Sequence, residues 1–483
     1  MTSARSAPGT GSPPPGPTPM SILGWRGNAL RFFRNPVAYL SGLKKTHGDV
    51  ASLVDCDHPT LFTQPTAHQG RTIFGFGPEI NKQILTRPDV FPVHRPRGPK
   101  TETFERLSNN ILFMNGPKHV QQRRLLNPTF TREHLQSYHQ DIVHYTEQML
   151  DRWQAGQRVD MLREINLLAR SVASKALFGL DPTGKSGAIS LTIRHVIDAL
   201  FSPVTLIPLD LPGMPYRRLR LDMEKAEALI RSEIERRRAS GVGDDALMMM
   251  IRAHDEEGNR LSPAELVSQA FVLFFAGHDT ATSAICWTLF LLAQHPEVSA
   301  ELHQELTDRL GGTPPTYEQI YDLPVLDRVV KESLRVLGPG VFFPRVAAET
   351  TTLGPYEITA GSEVLYSPFV THHDPDVYRD PLRFEPGRWL EIDPSGFEYL
   401  PFGAGPHRCI GAAFGGMQMR TVLATLVQRY RLEMVPESRI DVNVNVVMSP
   451  THLPMLVRRQ DRHFHRSKAE VTGFVREMVT LGD

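Results

Sequence analysis

The sequence is poor in cysteine and carries no net charge. Its 483 residues include only three cysteines, Cys56, Cys286 and Cys409, which lie far apart with no Cys-x-x-Cys pair. This spacing argues against a disulfide framework and against structural zinc, and it favours a reducing compartment such as the cytoplasm. Lysine and arginine together number 53, as do aspartate and glutamate. A chain without a global electrostatic field is not expected to bind nucleic acid.

Long apolar runs are also missing. Residues 7–19 form a tract rich in proline, glycine, serine and threonine instead of an apolar signal sequence. Neither a signal peptide nor a transmembrane anchor is therefore expected. We predict a disordered segment over residues 1–20, a single domain over residues 21–458, and a C-terminal extension over residues 459–483.

The C-terminal extension has the pattern of an amphipathic helix. Ser467-Lys-Ala-Glu470 matches a capping box. Apolar residues follow at helical spacing, namely Val471, Phe474, Val475 and Met478. Docking of this helix on the chain's own domain is the favoured interpretation, and a dimer or partner contact is the alternative.

One long helix is predicted in the second half of the chain. Ser262-Pro263-Ala264-Glu265 combines an N-cap, a proline at the first helical position and a capping-box glutamate, and the next proline is Pro296. A helix of this length spans roughly 50 Å. Its flanks are apolar but its centre reads Gly277-His278-Asp279-Thr280, so a buried helix with a polar centre is expected rather than a membrane span. A satisfied polar pair in a core helix is the simplest alternative for that centre.

A lone thiol lies in the run Phe402-Gly-Ala-Gly-Pro-His-Arg-Cys409-Ile-Gly411, just ahead of a helical pattern that begins at Ala412. A thiol binds iron as the thiolate, which a helix N-terminus and free loop amides stabilise. Gly403, Gly405 and Gly411 leave room for the helix N-terminus and for the loop amides near the sulfur. By itself, Cys409 could equally be an inert buried thiol.

The spacing of Phe402, Gly405, His407, Cys409 and Gly411 resembles the cysteine loop of cytochrome P450 enzymes of the soluble, bacterial type. The resemblance implies haem b (iron protoporphyrin IX) with Cys409 as the axial ligand of the iron, Phe402 beside the sulfur and His407 near a haem propionate. Many members have arginine at the position of His407. In this family the thiolate supplies electron density that favours O–O cleavage.

The centre of the long helix, Ala276-Gly277-His278-Asp279-Thr280, resembles the oxygen-binding segment of the same family. The resemblance implies that Gly277 gives dioxygen room beside the backbone. Thr280 would hydrogen-bond the oxygen or its water, and Asp279 would help to relay protons.

Two further groups of residues resemble family motifs. Glu332 and Arg335, with Arg388 in Phe384-Glu-Pro-Gly-Arg388-Trp389, resemble a structural Glu/Arg/Arg triad, which persists when buried only if every member is paired. His119 and Arg123 would share one helix face and, with Arg345, would bind the haem propionates. An ordinary surface histidine is the alternative for His119.

The expected fold is mainly α with a small β-rich part, a cytochrome P450 fold in which haem lies between the long central helix and the cysteine-loop helix. Strands are predicted at Arg71–Phe76 and Glu363–Tyr366, with a turn at Leu353–Tyr356. The substrate pocket is expected to be apolar. It would draw on residues 93–112 and 201–207 and on Phe274, Phe275, Val341, Phe342 and Met448.

The implied activity is that of a monooxygenase, which inserts one atom of O2 into an apolar small molecule such as a fatty acid, terpene or polyketide-like compound. No flavin domain is recognised, so electrons from NAD(P)H would arrive through a ferredoxin or flavodoxin and its reductase. The surface around Lys118 and Arg124 would dock this partner, although a solvated helix face explains it equally well. The alternatives are a peroxide-using or rearranging haem-thiolate enzyme and a non-catalytic haem-binding sensor; the Asp279-Thr280 pair favours oxygen activation.

Overall fold

The structure, a computed structural model, describes residues 11–63, 70–181, 185–200, 209–444, 447–465 and 470–481. Within these residues the chain is mainly helical. The α-helices, in chain order, are α1 Trp25–Arg34, α2 Pro36–His47, α3 Pro78–Leu85, α4 Glu102–Leu107, α5 Gly116–Leu126, α6 Arg132–Asp151, α7 Met161–Phe178, α8 Lys185–Leu200, α9 Pro215–Ser240, α10 Ala246–Arg252, α11 Pro263–Gln294, α12 Pro296–Leu310, α13 Pro324–Val336, α14 Pro368–His372 and α15 Ala412–Arg429. Short 3-10 helices lie at Asn127–Phe130, Gln319–Tyr321, Pro386–Leu390 and Phe474–Glu477.

The strands are short and peripheral to the helices. They are β1 Val50–Ser52, β2 Thr72–Gly75, β3 Arg158–Asp160, β4 Phe343–Val346, β5 Thr351–Leu353, β6 Tyr356–Ile358, β7 Glu363–Tyr366, β8 Tyr430–Met434, β9 Val442–Val444, β10 Met448–Pro450 and β11 Pro454–Arg459.

The strands pair into small sheets. One sheet has the order β1-β2-β7-β4, in which only β2 and β7 are parallel, with Thr72 opposite Glu363. A second has the antiparallel order β3-β11-β8, and β5 with β6 and β9 with β10 form two-stranded pairs. The predicted strands at residues 71–76 and 363–366 are confirmed as β2 and β7, and the predicted turn joins β5 to β6.

Helix α11 contributes residues to both of the main apolar cores. Its start is the predicted capping box, because the Ser262 hydroxyl accepts the Glu265 N–H and the Glu265 carboxylate accepts the Ser262 N–H. The first half of the helix packs in one apolar core with α8, α9 and α10. The second half packs in another with α6, α13 and α15. The polar centre therefore lies where the two cores meet. Among the helices that the structure describes, none has the length and apolarity needed to cross a membrane.

The N-terminal prediction needs a correction. Residues 11–20 were expected to be disordered, but three of their carbonyl groups accept backbone N–H groups of the folded domain. Pro15 accepts from Ser52 at 2.8 Å, Pro17 from Asp55 at 3.1 Å, and Ser12 from Glu357 at 3.1 Å. Proline cannot donate a backbone hydrogen bond, but its carbonyl accepts one normally. The prediction of disorder, which relied on composition, was therefore wrong for residues 11–20.

The C-terminal prediction was wrong about secondary structure. Its N-cap, Ser467, lies outside the described residues, and the part that is described forms only the 3-10 helix Phe474–Glu477. Gly473 has φ 104°, and a Cβ there would lie 2.4 Å from the Ile440 carbonyl oxygen, so an α-helix cannot run through it. The segment docks on its own domain, as expected, with Val471, Val475 and Met478 buried.

Candidate active site

The middle of α11 exposes a stripe between two largely buried stretches of the helix. Ala276 and Thr280 are exposed and Gly277 is partly exposed, whereas residues 281–292 are buried. These three side chains share a face, because residues three and four apart are neighbours on a helix. A Cβ at Gly277 would meet no atom within 4 Å. The stripe therefore faces open space in the interior of the fold.

The polar groups of this segment are arranged on different faces. The Thr280 hydroxyl donates to the Ala276 carbonyl at 2.6 Å, which leaves its oxygen able to accept a hydrogen bond at the stripe. The Asp279 side chain is 33% exposed, and one of its oxygens lies 3.0 Å from His278 Nδ1. His278 is buried, with its ring near that of Phe274, and its Nε2 has no hydrogen-bond partner among the residues that the structure describes.

The cysteine loop is held by its backbone. The Cys409 N–H donates to the Phe402 carbonyl at 2.8 Å. Gly403 and Gly405 have φ values of 67° and 69°, and a Cβ at Gly405 would lie 2.2 Å from the Leu85 carbonyl oxygen. Only glycine fits there, because the loop presses against the end of α3. Helix α15 begins three residues after Cys409, as predicted.

Cys409 is exposed as a residue, although protein closely surrounds its thiol group. Desolvation by that protein raises the pKa of the Cys409 thiol. The Gly411 N–H and the positive charges of Arg123 and Arg408 act in the opposite direction. The loop thus offers the partial positive charge that the sequence suggested, but desolvation outweighs it. A cation beside the sulfur would favour the thiolate.

A cluster of basic side chains adjoins the loop. The rings of His119 and His407 stack with their centroids 4.1 Å apart, and Arg123 donates to the Arg408 carbonyl at 2.7 Å. Arg345 on β4 is buried, lies over the Tyr366 ring and donates to the Pro344 carbonyl. The sequence predictions for His119, Arg123, Arg345 and His407 thus converge on one place.

This basic cluster has no acidic counterpart. Within the described residues, no carboxylate lies within 4.0 Å of a side-chain nitrogen of Arg123, Arg345, His119 or His407. Desolvation, with the nearby charges of His119, Arg345 and Arg123, lowers the pKa of His407 to about 3. Desolvation likewise lowers the pKa of His119. The two imidazoles are therefore neutral near pH 7 and can donate N–H groups, and the positive charge of the cluster is that of Arg123 and the buried Arg345. Buried cations are usually paired, so the cluster has the character of an anion-binding site.

The three predicted triad residues are in contact and buried. The Arg335 guanidinium donates to both oxygens of Glu332, at 3.0 and 2.9 Å, and Arg388 Nε donates to one of them at 3.2 Å. Trp389 Nε1 and the Glu385 N–H complete the shell around this carboxylate. The network ties α13 to the 3-10 helix Pro386–Leu390, in the core that also holds the start of α15.

The residues predicted for the substrate pocket are spread over several environments. Phe274 is buried against Phe178. Phe342 packs with the rings of Phe32 and Phe62, at 5.3 and 5.4 Å. Val341 and Met448 are buried, Phe275 is partly buried, and residues 201–207 lie outside the described residues. The contacts of Phe274 and Phe342 show core packing, which is the more ordinary role of a phenylalanine.

Comparison with known proteins agrees with this geometry. Residues 14–457 match the family model described as Cytochrome P450. Cyclooctat-9-en-7-ol 5-monooxygenase of Streptomyces melanosporofaciens is 30% identical over 94% of this chain and 98% of its own length. Pentalenene oxygenase of Streptomyces avermitilis is 27% identical over 86% of this chain and 90% of its own length.

Solved structures show the same fold. A retinoic-acid-bound cyanobacterial member superposes with a TM-score of 0.79 at 23% identity, covering 93% of this chain and 99% of that one. The haem domain of cytochrome P450DA gives 0.79 at 22% identity, covering 94% and 99%. The fold and the site thus define a haem enzyme. The chain belongs to the cytochrome P450 family and is a monooxygenase that acts on an apolar small molecule, with haem and O2 and with electrons from a partner.

The residues at the site fit a haem. Haem is flat, carries two carboxylates at one edge and needs an axial donor. The described part of the chain offers an exposed cysteine, a cluster of basic groups beside it that has no acidic partner there, and a helix stripe with no described atom within 4 Å of the position of a Gly277 Cβ. The chemistry of the donors and the open space therefore agree with the family's cofactor.

Sequence reasoning gave no role to two residues that the structure brings forward. His278 stands in the motif at the centre of the long helix, but a sequence does not show burial. The structure shows that its Nε2 is buried with no hydrogen-bond partner among the described residues. Glu227 on α9 accepts two hydrogen bonds from Arg106 on α4, both at 2.9 Å. These residues are 121 positions apart, so no local pattern could have paired them.

Proposed function

We propose that Cys409 is the axial thiolate ligand of the haem iron and that His119, Arg123, Arg345 and His407 bind the haem propionates. The observation that carries this proposal is the cluster of basic side chains without acidic partners in the described residues, next to an exposed cysteine. Charge-assisted hydrogen bonds from such groups hold carboxylates strongly. Phe402 would pack beside the sulfur, since its ring lies near the start of α15, where a Cβ added at Gly415 would be 3.8 Å from it.

Bound haem supplies the redox chemistry that activates O2. The chain's own contribution lies in the stripe on α11. Gly277 keeps the space beside the backbone clear, and Ala276 borders it with a small side chain. The Thr280 oxygen accepts a hydrogen bond from a water in that space and holds the water in place. Asp279, which is partly exposed, passes protons from solvent toward Thr280.

His278 would position Asp279. Its Nδ1 lies 3.0 Å from an Asp279 oxygen, and its ring is fixed by burial near Phe274. A buried imidazole beside a carboxylate restricts the rotamers that the carboxylate can adopt. Without this contact Asp279 would lose its preferred orientation.

The triad of Glu332, Arg335 and Arg388 would act through structure alone. It contacts no part of the stripe or the basic cluster in the described hydrogen bonds and ion pairs. Its role is to fix α13 against the 3-10 helix Pro386–Leu390, which supports the loop that carries Cys409.

For the substrate we propose a terpene-like hydrocarbon or alcohol. Support comes from the relatives, whose names refer to cyclooctat-9-en-7-ol and pentalenene, and from the apolar core that borders the stripe. Electrons would come from NAD(P)H through a ferredoxin or flavodoxin and its reductase. Arg124 and Arg408 are exposed beside the loop and would attract an acidic carrier, whereas Lys118 is paired with Glu265 at 2.8 Å. We place the enzyme in the cytoplasm.

The decisive experiment is the carbon monoxide difference spectrum of the reduced protein. A strongly red-shifted Soret band is expected for the parent chain, and Cys409→Ala should abolish it. Cys286→Ala is the matched control, because Cys286 is a buried residue of α11 whose thiol faces the Met161 carbonyl at 3.8 Å and does not belong to the loop. A red-shifted band that survives Cys409→Ala would refute the ligand assignment.

A second experiment separates oxygen activation from peroxide chemistry. The enzyme is supplied either with a ferredoxin system and NAD(P)H or with hydrogen peroxide alone, using pentalenene as the probe substrate. Product formation that depends on the electron carrier supports the proposal. Efficient turnover with peroxide alone would favour the peroxide-using alternative.

A further inference from the structure

The first helix and the turn before it expose an unusual set of apolar side chains. Ile22 is 95% exposed, Leu23 46%, Leu30 59% and Phe33 53%. Leu30 and Phe33 lie three residues apart and so share one face of α1. Single exposed apolar residues are ordinary, but four within twelve positions form a patch.

The same face is strongly basic. Arg26, Arg31 and Arg34 are exposed, and within the described residues none of them has a carboxylate within 4.0 Å. The first 48 residues of the sequence contain six lysines and arginines and no aspartate or glutamate. The first acidic residue, Asp49, is already paired with Lys44. The chain as a whole has no net charge, whereas its first 48 residues have a net charge of +6 with histidine neutral.

The patch is displayed on a rigid support. On the opposite face of α1, Ala29 and Phe32 are buried, and the Phe32 ring packs against Phe74 and Phe342. The turn that carries Ile22 and Leu23 is closed by two backbone hydrogen bonds between Met20 and Gly24, at 3.3 and 2.8 Å. The backbone that carries the exposed side chains is therefore held in place, and one edge of the Phe33 ring rests on Phe32 and Phe62.

We propose that this surface, defined by Ile22, Leu23, Arg26, Leu30, Arg31, Phe33 and Arg34 and called the α1 face, docks on an anionic phospholipid bilayer. Arginines bind lipid phosphates while leucine, isoleucine and phenylalanine enter the interfacial region. The docking would be peripheral and reversible, since the face is small and no helix in the described residues spans a membrane.

Two observations favour lipid over a protein partner. Ile22 projects almost fully into solvent, so it can insert into a fluid interface without a complementary pocket. The apolar residues also alternate with arginines, whereas the centre of a protein interface is usually depleted of charge. A face that mixes both kinds of side chain suits the headgroup region, where both find partners.

The test is co-sedimentation of the full-length holoenzyme with extruded vesicles. Vesicles of phosphatidylcholine alone are compared with vesicles of phosphatidylcholine and phosphatidylglycerol in equal parts. Binding is expected only to the anionic vesicles and should weaken at high salt. Each basic residue near an anionic surface strengthens binding about fivefold, so the triple variant Arg26→Gln/Arg31→Gln/Arg34→Gln should bind roughly a hundredfold more weakly.

A second variant tests the apolar contribution. Leu30→Ser/Phe33→Ser should also lose binding, while the control Val242→Ser/Arg238→Gln, which alters an exposed apolar and an exposed basic residue at the end of α9, should bind like the parent. The carbon monoxide spectrum of each variant checks that it has folded.

Three outcomes would overturn the proposal. The first is a parent protein that does not bind anionic vesicles, and the second is an arginine variant that binds them as well as the parent does. The third is lipid-free self-association that Leu30→Ser/Phe33→Ser abolishes, which would identify the α1 face as an interface between two copies of the chain.

Discussion

Replacement of Arg335 by leucine should destabilise the whole fold. The Arg335 guanidinium makes five hydrogen bonds, two to Glu332 and one each to the carbonyls of His372, Pro381 and Arg383. Both Arg335 and Glu332 are 0% exposed. Leucine would leave three carbonyls without this donor, of which that of His372 is buried, and would leave the Glu332 carboxylate with Arg388 as its remaining guanidinium in the described residues.

The expected loss follows from the burial of the pair. Removing one partner of a buried ion pair costs about 3–5 kcal/mol, because the other charge stays buried without compensation. Typical domains unfold at a cost of about 5–15 kcal/mol, so this single change removes a large fraction of the stability. Arg335→Lys keeps the charge but not the planar fork, and should still cost about 2 kcal/mol or more.

The assay is urea unfolding followed by tryptophan fluorescence, to which Trp389 beside Glu332 contributes. The matched control is Lys331→Gln in the same helix, whose partly exposed pair with Asp327 should be worth at most about 1 kcal/mol. The carbon monoxide spectrum reports how much of each variant retains haem. A cost below about 1 kcal/mol for Arg335→Leu, or one equal to that of Lys331→Gln, would refute the reasoning.

Three further changes probe the site and its surroundings. Thr280→Val should divert electrons from product to peroxide, measured as peroxide released per NAD(P)H consumed, whereas Thr282→Val, which removes a buried hydroxyl bonded to a helix carbonyl, should not. Arg345→Leu should speed transfer of haem to apomyoglobin about tenfold or more, since a charge-assisted contact is worth about 1.5–3 kcal/mol; an unchanged rate would argue against a propionate partner. Glu227→Gln should weaken the contact of α4 with α9 through Arg106 and lower the free energy of unfolding by up to about 1 kcal/mol, and an unaltered urea midpoint would contradict this.

Much of the central architecture could be predicted from local sequence patterns. The start of α11 follows from its capping box, and its end from Pro296, because both are short-range effects. The contact of Glu332 with Arg335 follows from their i,i+3 spacing on a helix. The start of α15 after Cys409 likewise follows from helical periodicity.

Features that depend on distant residues were not predictable in this way. The helix expected after Glu470 fails because Gly473 approaches the backbone of Ile440, a tertiary contact with no local signal. The stacking of His119 on His407 and the packing of Phe342 against Phe32 also join remote parts of the chain. The same is true of residues 11–20, whose carbonyls meet donors that the sequence does not place near them.

The position of the α11 stripe between two apolar cores has a consequence for motion. Cooperative units of a protein open with separate free energies, and such units usually follow contiguous packing. The core of α8, α9 and α10 can therefore open transiently while that of α6, α13 and α15 stays closed. In hydrogen exchange, amides of α9 should exchange well before those of α15. A guest molecule could thus come and go on the side of α8, α9 and α10 while the side of α6, α13 and α15 keeps its shape.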